Sequence, residues 1–310
     1  MRAMLICFLL LSAGAAAQNY SSSYHSCDPI EGNWTQIDGT NFIRMPVISL
    51  ARPDTNWTYP YDRQPVSSSN ETISGVFFGS SCLANATVEI CIAPLNSSAF
   101  LSAVNVLDLP VDTVDINCSG DPFRLNSSGD LSFAVPGKAP GIYALYVIDR
   151  NATVVLSASL IIVAEEVITV EVPSEIPAGF PLEVKVQTSN RSDGRSRHYG
   201  AFLVPSSCYE AANLTMTGNG TRQGTWFAIN MGADSVEFPG DLDVSMDLLM
   251  DLLVLFPPNS AVALQDTPEQ DAELYLITEP DWEPGTYILT SIVLVEDGII
   301  GLEQVELELI

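Results

Sequence analysis

The chain has 310 residues, of which 47% are hydrophobic and 16% charged, and its 38 acidic and 12 basic side chains leave a formal net charge of -26. This length suits two domains of ordinary size, and the hydrophobic content excludes a chain that is disordered throughout. Because so acidic a surface repels phosphates, the composition excludes nucleic-acid binding. Residues 223–310 have eighteen acids and no Lys or Arg, so this part either favours cations or basic partners, or has an acidic surface that serves solubility or adaptation to salt.

Residues 1–17 have the pattern of a secretory signal peptide. Arg2 precedes an apolar run from Met4 to Leu11, and the small residues Ala15 to Ala17 form a cleavage site before Gln18. The run is shorter than the roughly 20 apolar residues that span a bilayer, and no later stretch is long enough. We therefore expect an extracellular protein, secreted or held at the cell surface by other proteins, with no membrane span and no C-terminal anchor.

Sequons of the form Asn-x-Ser/Thr begin at twelve of the sixteen asparagines. Each predicts an N-glycosylation site at an exposed turn or edge, because a bulky sugar cannot enter a core. The sites are Asn19, Asn33, Asn56, Asn70, Asn85, Asn96, Asn117, Asn126, Asn151, Asn190, Asn213 and Asn219. The chain after residue 221 has none, so it either carries no N-glycan or packs against a partner.

Five cysteines follow the signal peptide: Cys27, Cys82, Cys91, Cys118 and Cys208. In an oxidising compartment cysteines usually pair, and the odd number leaves one thiol free or linked to another chain. Cys82 and Cys91 are expected to lie too far apart to bridge each other, so Cys118 is expected to pair with one of them. The spacing does not resemble a metal site.

Residues 18–70 are rich in Ser, Asn, Tyr and Pro, and they predict a partly ordered N-terminal segment with one strand around Phe42 to Leu50. From Ile73 apolar and polar residues alternate with period two, which is typical of half-buried strands. Further strands are predicted at Thr87 to Ile92 and Val111 to Ile116. Residues 71–165 therefore predict a first β-sandwich of about seven short strands.

One hairpin pattern occurs twice in the chain. The first copy begins Pro-Gly-Ile-Tyr at 140–143 and continues in apolar strands to Val163. The second begins Pro-Gly-Thr-Tyr at 284–287, turns at 296–298 and ends with a strand from Ile299 to Ile310. A short apolar strand with an acidic start precedes each copy. This repetition predicts an all-β protein of two related units, each closed by the same hairpin.

The second β-sandwich is predicted over 166–310. It opens with an alternating hairpin over Ile168 to Val186, and strands are predicted at 199–204, 214–217 and 225–229. Asp243, Asp247 and Asp251 recur every four residues among leucines, which predicts one short inserted amphipathic helix near 243–256. This helix either binds a partner or cation, or caps one end of the sandwich with its acids in water.

Groups suited to catalysis are few. A Ser-His-Asp arrangement would depend on His198, because the other histidine, His25, lies in the Ser-rich leader. Asp281 and Glu283 flank Trp282 as in sugar-processing sites, although nearby acids are expected by chance in so acidic a chain. We therefore predict no catalytic and no cofactor-binding residues.

Two charged clusters define further alternatives. Arg191, Arg195 and Arg197 form a basic loop that either is a solvated hairpin tip or accepts a carboxylate from a neighbouring subunit in head-to-tail assembly. The inter-domain acids Glu165, Glu166 and Glu171 would bind a calcium ion only if they converged on one point. Calcium is the one cofactor that the sequence leaves open.

Four short segments carry a resemblance to a known family: Gly75 to Gly79, Val88-Glu89-Ile90, Ala139 to Tyr143 and Glu171 to Ser174. With these segments, roughly residues 71–310 resemble a family of extracellular surface-protein domains of methanogenic archaea. The resemblance implies two tandem immunoglobulin-like β-sandwiches without enzymatic activity, and it supplies no site residues. The expected absence of a C-terminal anchor departs from that family.

The expected function is that of a secreted, N-glycosylated structural or adhesive protein, an envelope- or S-layer-associated spacer or binding module. Its expected partners are other envelope proteins, glycans or further copies of itself. A secreted carboxylate-dependent enzyme that processes glycans or peptides is the alternative, and a cleft with two facing carboxylates would favour it.

Overall fold

The computed structural model describes residues 34–39, 41–44, 49–52, 55–58, 63–69, 71–94, 117–118, 121–149, 154–189, 194–210, 212–218, 225–231, 234–239, 258–295 and 298–310. In these ranges the chain is all-β, with two short 3₁₀ turns at Ser81–Leu83 and Ser206–Glu210 and no α-helix. The helix predicted near 243–256 lies outside the described residues.

The strands of the first half are, in chain order, β1 (Trp34–Ile37), β2 (Asn41–Arg44), β3 (Ser49–Arg52), β4 (Thr55–Thr58), β5 (Arg63–Ser68), β6 (Ile73–Phe78), β7 (Thr87–Pro94), β8 (Asn117–Cys118), β9 (Phe123–Arg124), β10 (Leu131–Val135), β11 (Gly141–Asp149) and β12 (Val154–Ala164). Those of the second half are β13 (Thr169–Glu171), β14 (Glu175–Ile176), β15 (Pro181–Gln187), β16 (Arg197–Pro205), β17 (Ala212–Gly218), β18 (Thr225–Met231), β19 (Asp234–Pro239), β20 (Ala261–Thr267), β21 (Asp271–Ile277), β22 (Gly285–Val295) and β23 (Gly298–Leu309).

The first unit consists of a small sheet, β1-β6-β10, and a larger sheet, β2-β5-β12-β11-β7-β8, in which β9 also pairs with β7. Alternate residues of both sheets point towards each other and form one apolar core. Phe77 and Phe133 from the small sheet meet Ile90, Leu145 and side chains of β12 from the large one. Residues 34–68 thus supply β1, β2 and β5 to this unit. They include most of residues 18–70, which the sequence predicted to be a separate, partly ordered segment.

The second unit repeats this arrangement. Its small sheet is β13-β15-β21 and its larger sheet is β14-β23-β22-β16-β20. Leu182, Val184 and Leu274 from the small sheet pack against Leu289 and other side chains of the large sheet. In both units a short strand, β5 or β14, runs parallel to the last strand of the unit. The two hairpins predicted from the repeated pattern are β11–β12 and β22–β23.

The Pro-Gly-x-Tyr pattern marks the same corner in both units. The Tyr143 hydroxyl donates a hydrogen bond to the Ala139 carbonyl (2.8 Å), and the Tyr287 hydroxyl donates one to the Glu283 carbonyl (3.0 Å). Gly285 has a φ of +148°, which side-chain-bearing residues rarely adopt, so glycine permits the entry into β22. Each hydroxyl therefore ties the start of a long central strand to the loop before it.

The central strands of both large sheets are buried on both faces. Leu145 and Val147 of β11 belong to the core, but Tyr146 and Ile148, which point the other way, are at most 1% exposed. In β22 the residues that alternate with the core positions, among them Ile288 and Ile292, are also buried. This burial explains why these strands are almost continuously apolar rather than alternating.

A third sheet joins the two halves of the chain. It has the order β19-β18-β17-β3-β4, so that a hairpin from residues 49–58 pairs with strands inserted between β16 and β20. The contact between β17 and β3 is parallel, with Leu214 opposite Leu50 and Thr215 opposite Ala51. The strands predicted at 214–217 and 225–229 lie in this sheet rather than in the second sandwich.

Candidate functional site

The junction between the two units is ordered by backbone hydrogen bonds. After β12 ends at Ala164, the Glu165 amide donates to the Ile299 carbonyl (3.0 Å) and the Glu166 amide donates to the Ile300 carbonyl (2.9 Å). The linker is therefore an added segment on the edge of β23. It then turns inwards, and Ile168 enters the core of the second unit.

Both linker carboxylates are held by the second unit. The two oxygens of Glu165 accept bidentate hydrogen bonds from Nη2 of Arg195 at 2.9 and 3.0 Å, and both side chains are 35% exposed. Glu166 accepts hydrogen bonds from the backbone amide of Ser189 (2.8 Å) and from its hydroxyl. Charge-assisted bonds of this kind fix the direction in which the chain leaves the first unit.

The calcium alternative required three acids to converge, and they do not. Glu165 and Glu166 have the separate partners just described, and Glu171 lies across the sheet from Lys185. Within the described ranges no group of three or more His, Cys, Asp or Glu side chains is arranged to hold a metal ion. The geometry of these three residues therefore does not form the calcium site that the sequence left open.

Two arginines of the basic loop make contacts within the chain. Arg195 binds Glu165, so a carboxylate of the linker occupies it in this structure. Arg197 is 2% exposed, and its Nη1 donates to the carbonyls of Arg195 and Pro268, both at 3.3 Å. These two arginines are thus not a solvated hairpin tip. Arg191 lies outside the described residues.

A second connection between the units runs through the side chain of Gln304 in β23. Its amide oxygen accepts a hydrogen bond from the Arg44 backbone amide, and its Nε2 donates to the Arg44 carbonyl (3.3 Å). The same nitrogen donates to Thr290 Oγ1 (2.8 Å). The glutamine amide therefore pairs with β2 of the first unit much as another strand would.

His198 has part of a catalytic arrangement. Its Nδ1 lies 2.8 Å from Oδ1 of Asp266, which is its cross-strand partner, and the carboxylate is largely exposed. Within the described part of the chain, no hydroxyl or thiol hydrogen bond to His198 accompanies this contact. Residues directly opposite each other on neighbouring strands commonly interact, so this contact between a histidine and an aspartate does not need a catalytic explanation.

A groove lies at the far end of the second unit. It encloses about 530 Å³, and its lining includes Tyr275, Ile277, Glu279, Asp281 and Trp282. The Trp282 ring stacks on Tyr287 with the ring centres 5.7 Å apart, which fixes its position. Glu283 follows Trp282 in the sequence, and its backbone carbonyl accepts a hydrogen bond from the Tyr287 hydroxyl.

Two of the predicted glycosylation sites have described side chains, and both are exposed. Asn85 and Asn126 are neighbours at one end of the first unit, where the Asn85 amide donates to the Asn126 carbonyl (3.3 Å). Oδ1 of Asn126 accepts from the amides of Ser128 (2.8 Å) and Asp130 (2.9 Å), which directs the side-chain nitrogen away from the turn.

The remaining sequon asparagines are in two groups. Asn56, Asn117 and Asn213 lie in the backbones of β4, β8 and β17, and the first two of these are edge strands. The others lie outside the described residues: Asn19, Asn33, Asn70, Asn96, Asn151, Asn190 and Asn219.

The cysteines differ in state. Cys82 and Cys91 are disulfide-bonded, whereas Cys208 is a free thiol whose pKa is raised by burial. Cys91 is fully buried in β7, and the residue directly opposite it in the backbone register of β8 is Cys118. Cys27 lies outside the described residues.

Comparison with known proteins gives little guidance. No family model and no curated protein matches the chain. A solved structure, that of red sea bream transglutaminase, aligns with 80% of this chain and 30% of its own at 9% identity and a TM-score of 0.30. A likeness this distant indicates neither a fold nor an activity. Among the described residues, no helix has the length and apolar character needed to cross a membrane.

Proposed function

We propose that this chain is a secreted, N-glycosylated structural or adhesive protein of the cell surface, without catalytic activity, built from two immunoglobulin-like sandwiches in tandem. It would act as a spacer or binding module associated with the cell envelope, in contact with other envelope proteins or glycans. The observation that carries this proposal is the ordered junction between two units of the same strand order, because a spacer needs a fixed angle between its modules.

The immunoglobulin-like assignment is supported by strand order. In each unit a sheet of three strands faces a sheet in which the first unit's β5-β12-β11-β7 matches the second unit's β14-β23-β22-β16. This corresponds to the order A-B-E facing A′-G-F-C of immunoglobulin-like domains. The hydroxyl bonds of Tyr143 and Tyr287 lie where such domains have their tyrosine corner, at the entry to strand F.

An extracellular location is supported by the sequons and the disulfides. Asn85 and Asn126 are exposed and adjacent, so sugars attached there would cover one end of the first unit. Disulfide-bonded Cys82 and Cys91 suit an oxidising compartment. The signal-peptide pattern of residues 1–17 also supports an extracellular location.

Fractionation of the native cells tests the proposal. The chain should be in the envelope or medium fraction, and glycopeptide mass spectrometry of the same fraction should find sugar on Asn85 and Asn126. Recovery of unmodified protein from the cytosol would refute it. Hydrolysis of glycans or peptides by the purified protein, lost in Asp281→Asn, would favour the alternative of a carboxylate-dependent enzyme.

A further inference from the structure

The outer face of the sheet β13-β15-β21 is apolar at one end. Along β21 the inward residues Ala272, Leu274 and Leu276 are buried, which turns Tyr275 and Ile277 outwards, where they are 56% and 72% exposed. Pro181 lies directly opposite Ile277 and is exposed, and Phe180, just before it, is 59% exposed. We call Phe180, Pro181, Tyr275 and Ile277 the end patch.

The fold does not require these side chains. Leu182 pairs with Leu276 in the second unit as Ile73 pairs with Val135 in the first. If these two pairs are aligned, the residue of the first unit that corresponds to Phe180 is Glu71, and the one that corresponds to Ile277 is Pro136. A charged residue is thus compatible with the same position. Contiguous exposed apolar groups that packing does not need are typical of interaction sites.

Acids surround the end patch. Glu183 lies opposite Tyr275, and the Tyr275 hydroxyl donates to Glu273 Oε2 (3.4 Å). The nearby carboxylates of Glu183 and Glu273 raise the pKa of Tyr275, as expected in a negative local potential. The nearby cation Lys185 is itself engaged by Glu183 (3.2 Å) and Glu273 (3.8 Å).

The groove continues the end patch and has the same chemistry. Tyr275 and Ile277 form part of its wall, the buried Trp282, whose ring is stacked on Tyr287, also lines it, and Glu279 and Asp281 add carboxylates. Aromatic faces together with carboxylates bind organic cations such as guanidinium and ammonium groups. A volume of about 530 Å³ is ample for a lysine or arginine side chain.

We propose that the end patch and the groove dock a basic segment of a partner protein, with apolar side chains on the end patch and an arginine or lysine in the groove. This deepens the adhesive function proposed above and rests on it. Electrostatic complementarity selects such a partner and speeds its association. A second copy of this chain is the poorer partner, because its net charge of -26 would repel the acidic rim.

Binding of defined peptides to the full mature chain tests the proposal. The probes are fluorescent short peptides of alternating arginine and leucine, of arginine and serine, and of glutamate and leucine, measured by anisotropy at low and physiological salt. The arginine–leucine peptide should bind best. Ile277→Ser combined with Tyr275→Ser should weaken it about tenfold or more, as is typical of central interface residues.

Matched variants separate this site from the overall charge. Glu279→Gln with Asp281→Asn should weaken the arginine–leucine peptide and reduce its salt dependence. Asp121→Asn with Glu306→Gln removes the same charge from exposed positions elsewhere and should leave the affinity nearly unchanged. Leu264→Ser removes an exposed apolar side chain outside the end patch, so it is the control for the Ile277 and Tyr275 variants and should also leave the affinity nearly unchanged. Equal weakening by the two acidic pairs would overturn the proposal, because binding would then reflect net charge alone.

Two other results would also overturn it: no binding of the arginine–leucine peptide, or binding of a neutral glycan in the groove that Asp281→Asn abolishes. These outcomes are independent of cell fractionation. If the chain is glycosylated and found in the envelope but does not bind the peptides, only the proposed docking site is contradicted.

Discussion

Gly301 of β23 lies against the linker between the two units. A Cβ atom at this position would lie 2.2 Å from Ile168 Cγ2 and 3.1 Å from the Glu166 carbonyl oxygen. Carbon atoms pack best at about 3.5–4.0 Å, so the first contact is a severe overlap. Ile168 cannot move aside easily because it is 2% exposed and part of the core. We expect Gly301→Ala to lower the free energy of unfolding by about 1–3 kcal/mol.

A double-mutant cycle makes this prediction sharp. Ile168→Ala removes Cγ2 and should itself cost about 2–5 kcal/mol through the cavity it leaves. In the double variant the nearest atoms to the new Cβ are the Glu166 oxygen at 3.1 Å and Ile168 Cβ at 3.2 Å, which small shifts accommodate. The stability losses of the two single variants, added together, should therefore exceed the loss measured for the double variant by about 1 kcal/mol or more.

Urea unfolding with an unchanged slope is the measurement. Val167→Ala, a substitution of an exposed neighbour in the linker, is the control and should change stability by no more than about 0.5 kcal/mol. Additive losses in the cycle would mean that Gly301 and Ile168 are not in contact. The account of the junction given above would then fail.

Three further predictions concern individual side chains. Tyr143→Phe and Tyr287→Phe should each lower the free energy of unfolding by about 0.5–1.5 kcal/mol, since each loses one hydroxyl bond to a carbonyl, and calorimetry should show similar losses for the two. Burial raises the pKa of Glu303 above 4.5, so the folded state holds the proton more tightly and stability from this group falls as pH rises through the folded pKa. Glu303→Gln should therefore flatten the pH profile above pH 4.5 and be the more stable protein at neutral pH, and an unchanged profile would contradict this. Glu165→Gln should cost about 0.5–1 kcal/mol, and the loss should shrink in high salt because the pair with Arg195 is partly exposed.

The strands and the two closing hairpins were predictable because their signals are local. Alternation from Ile73 and from Ile168 is the signature of half-buried strands, and the repeated Pro-Gly-x-Tyr pattern identified both corners. The apolar run over 142–148 indicated a strand, and the structure shows that it is buried on both faces. The repeated hairpin and the alternation together predicted the all-β class.

The partners of the strands were not predictable, because pairing between distant segments leaves no local signal. β3 and β17 are more than 150 residues apart, and neither sequence indicates that they lie side by side. The same limit applies to Gln304, which is an ordinary polar residue until Arg44 is placed next to it. The Ser- and Asn-rich composition of residues 18–70 indicated loops, whereas tertiary pairing recruits their short strands into sheets.

The junction combines three separate connections, and their number determines how it behaves mechanically. The linker binds the edge of β23, Gln304 binds the backbone of Arg44, and β3 pairs with β17. Domains joined by a single linker are expected to move relative to each other. Here a bend between the units would have to break contacts at several points simultaneously, so a fixed angle is expected. A fixed angle in turn gives the end patch a constant position relative to the end of the first unit that carries Asn85 and Asn126, as the proposed role of a surface spacer that presents a binding site requires.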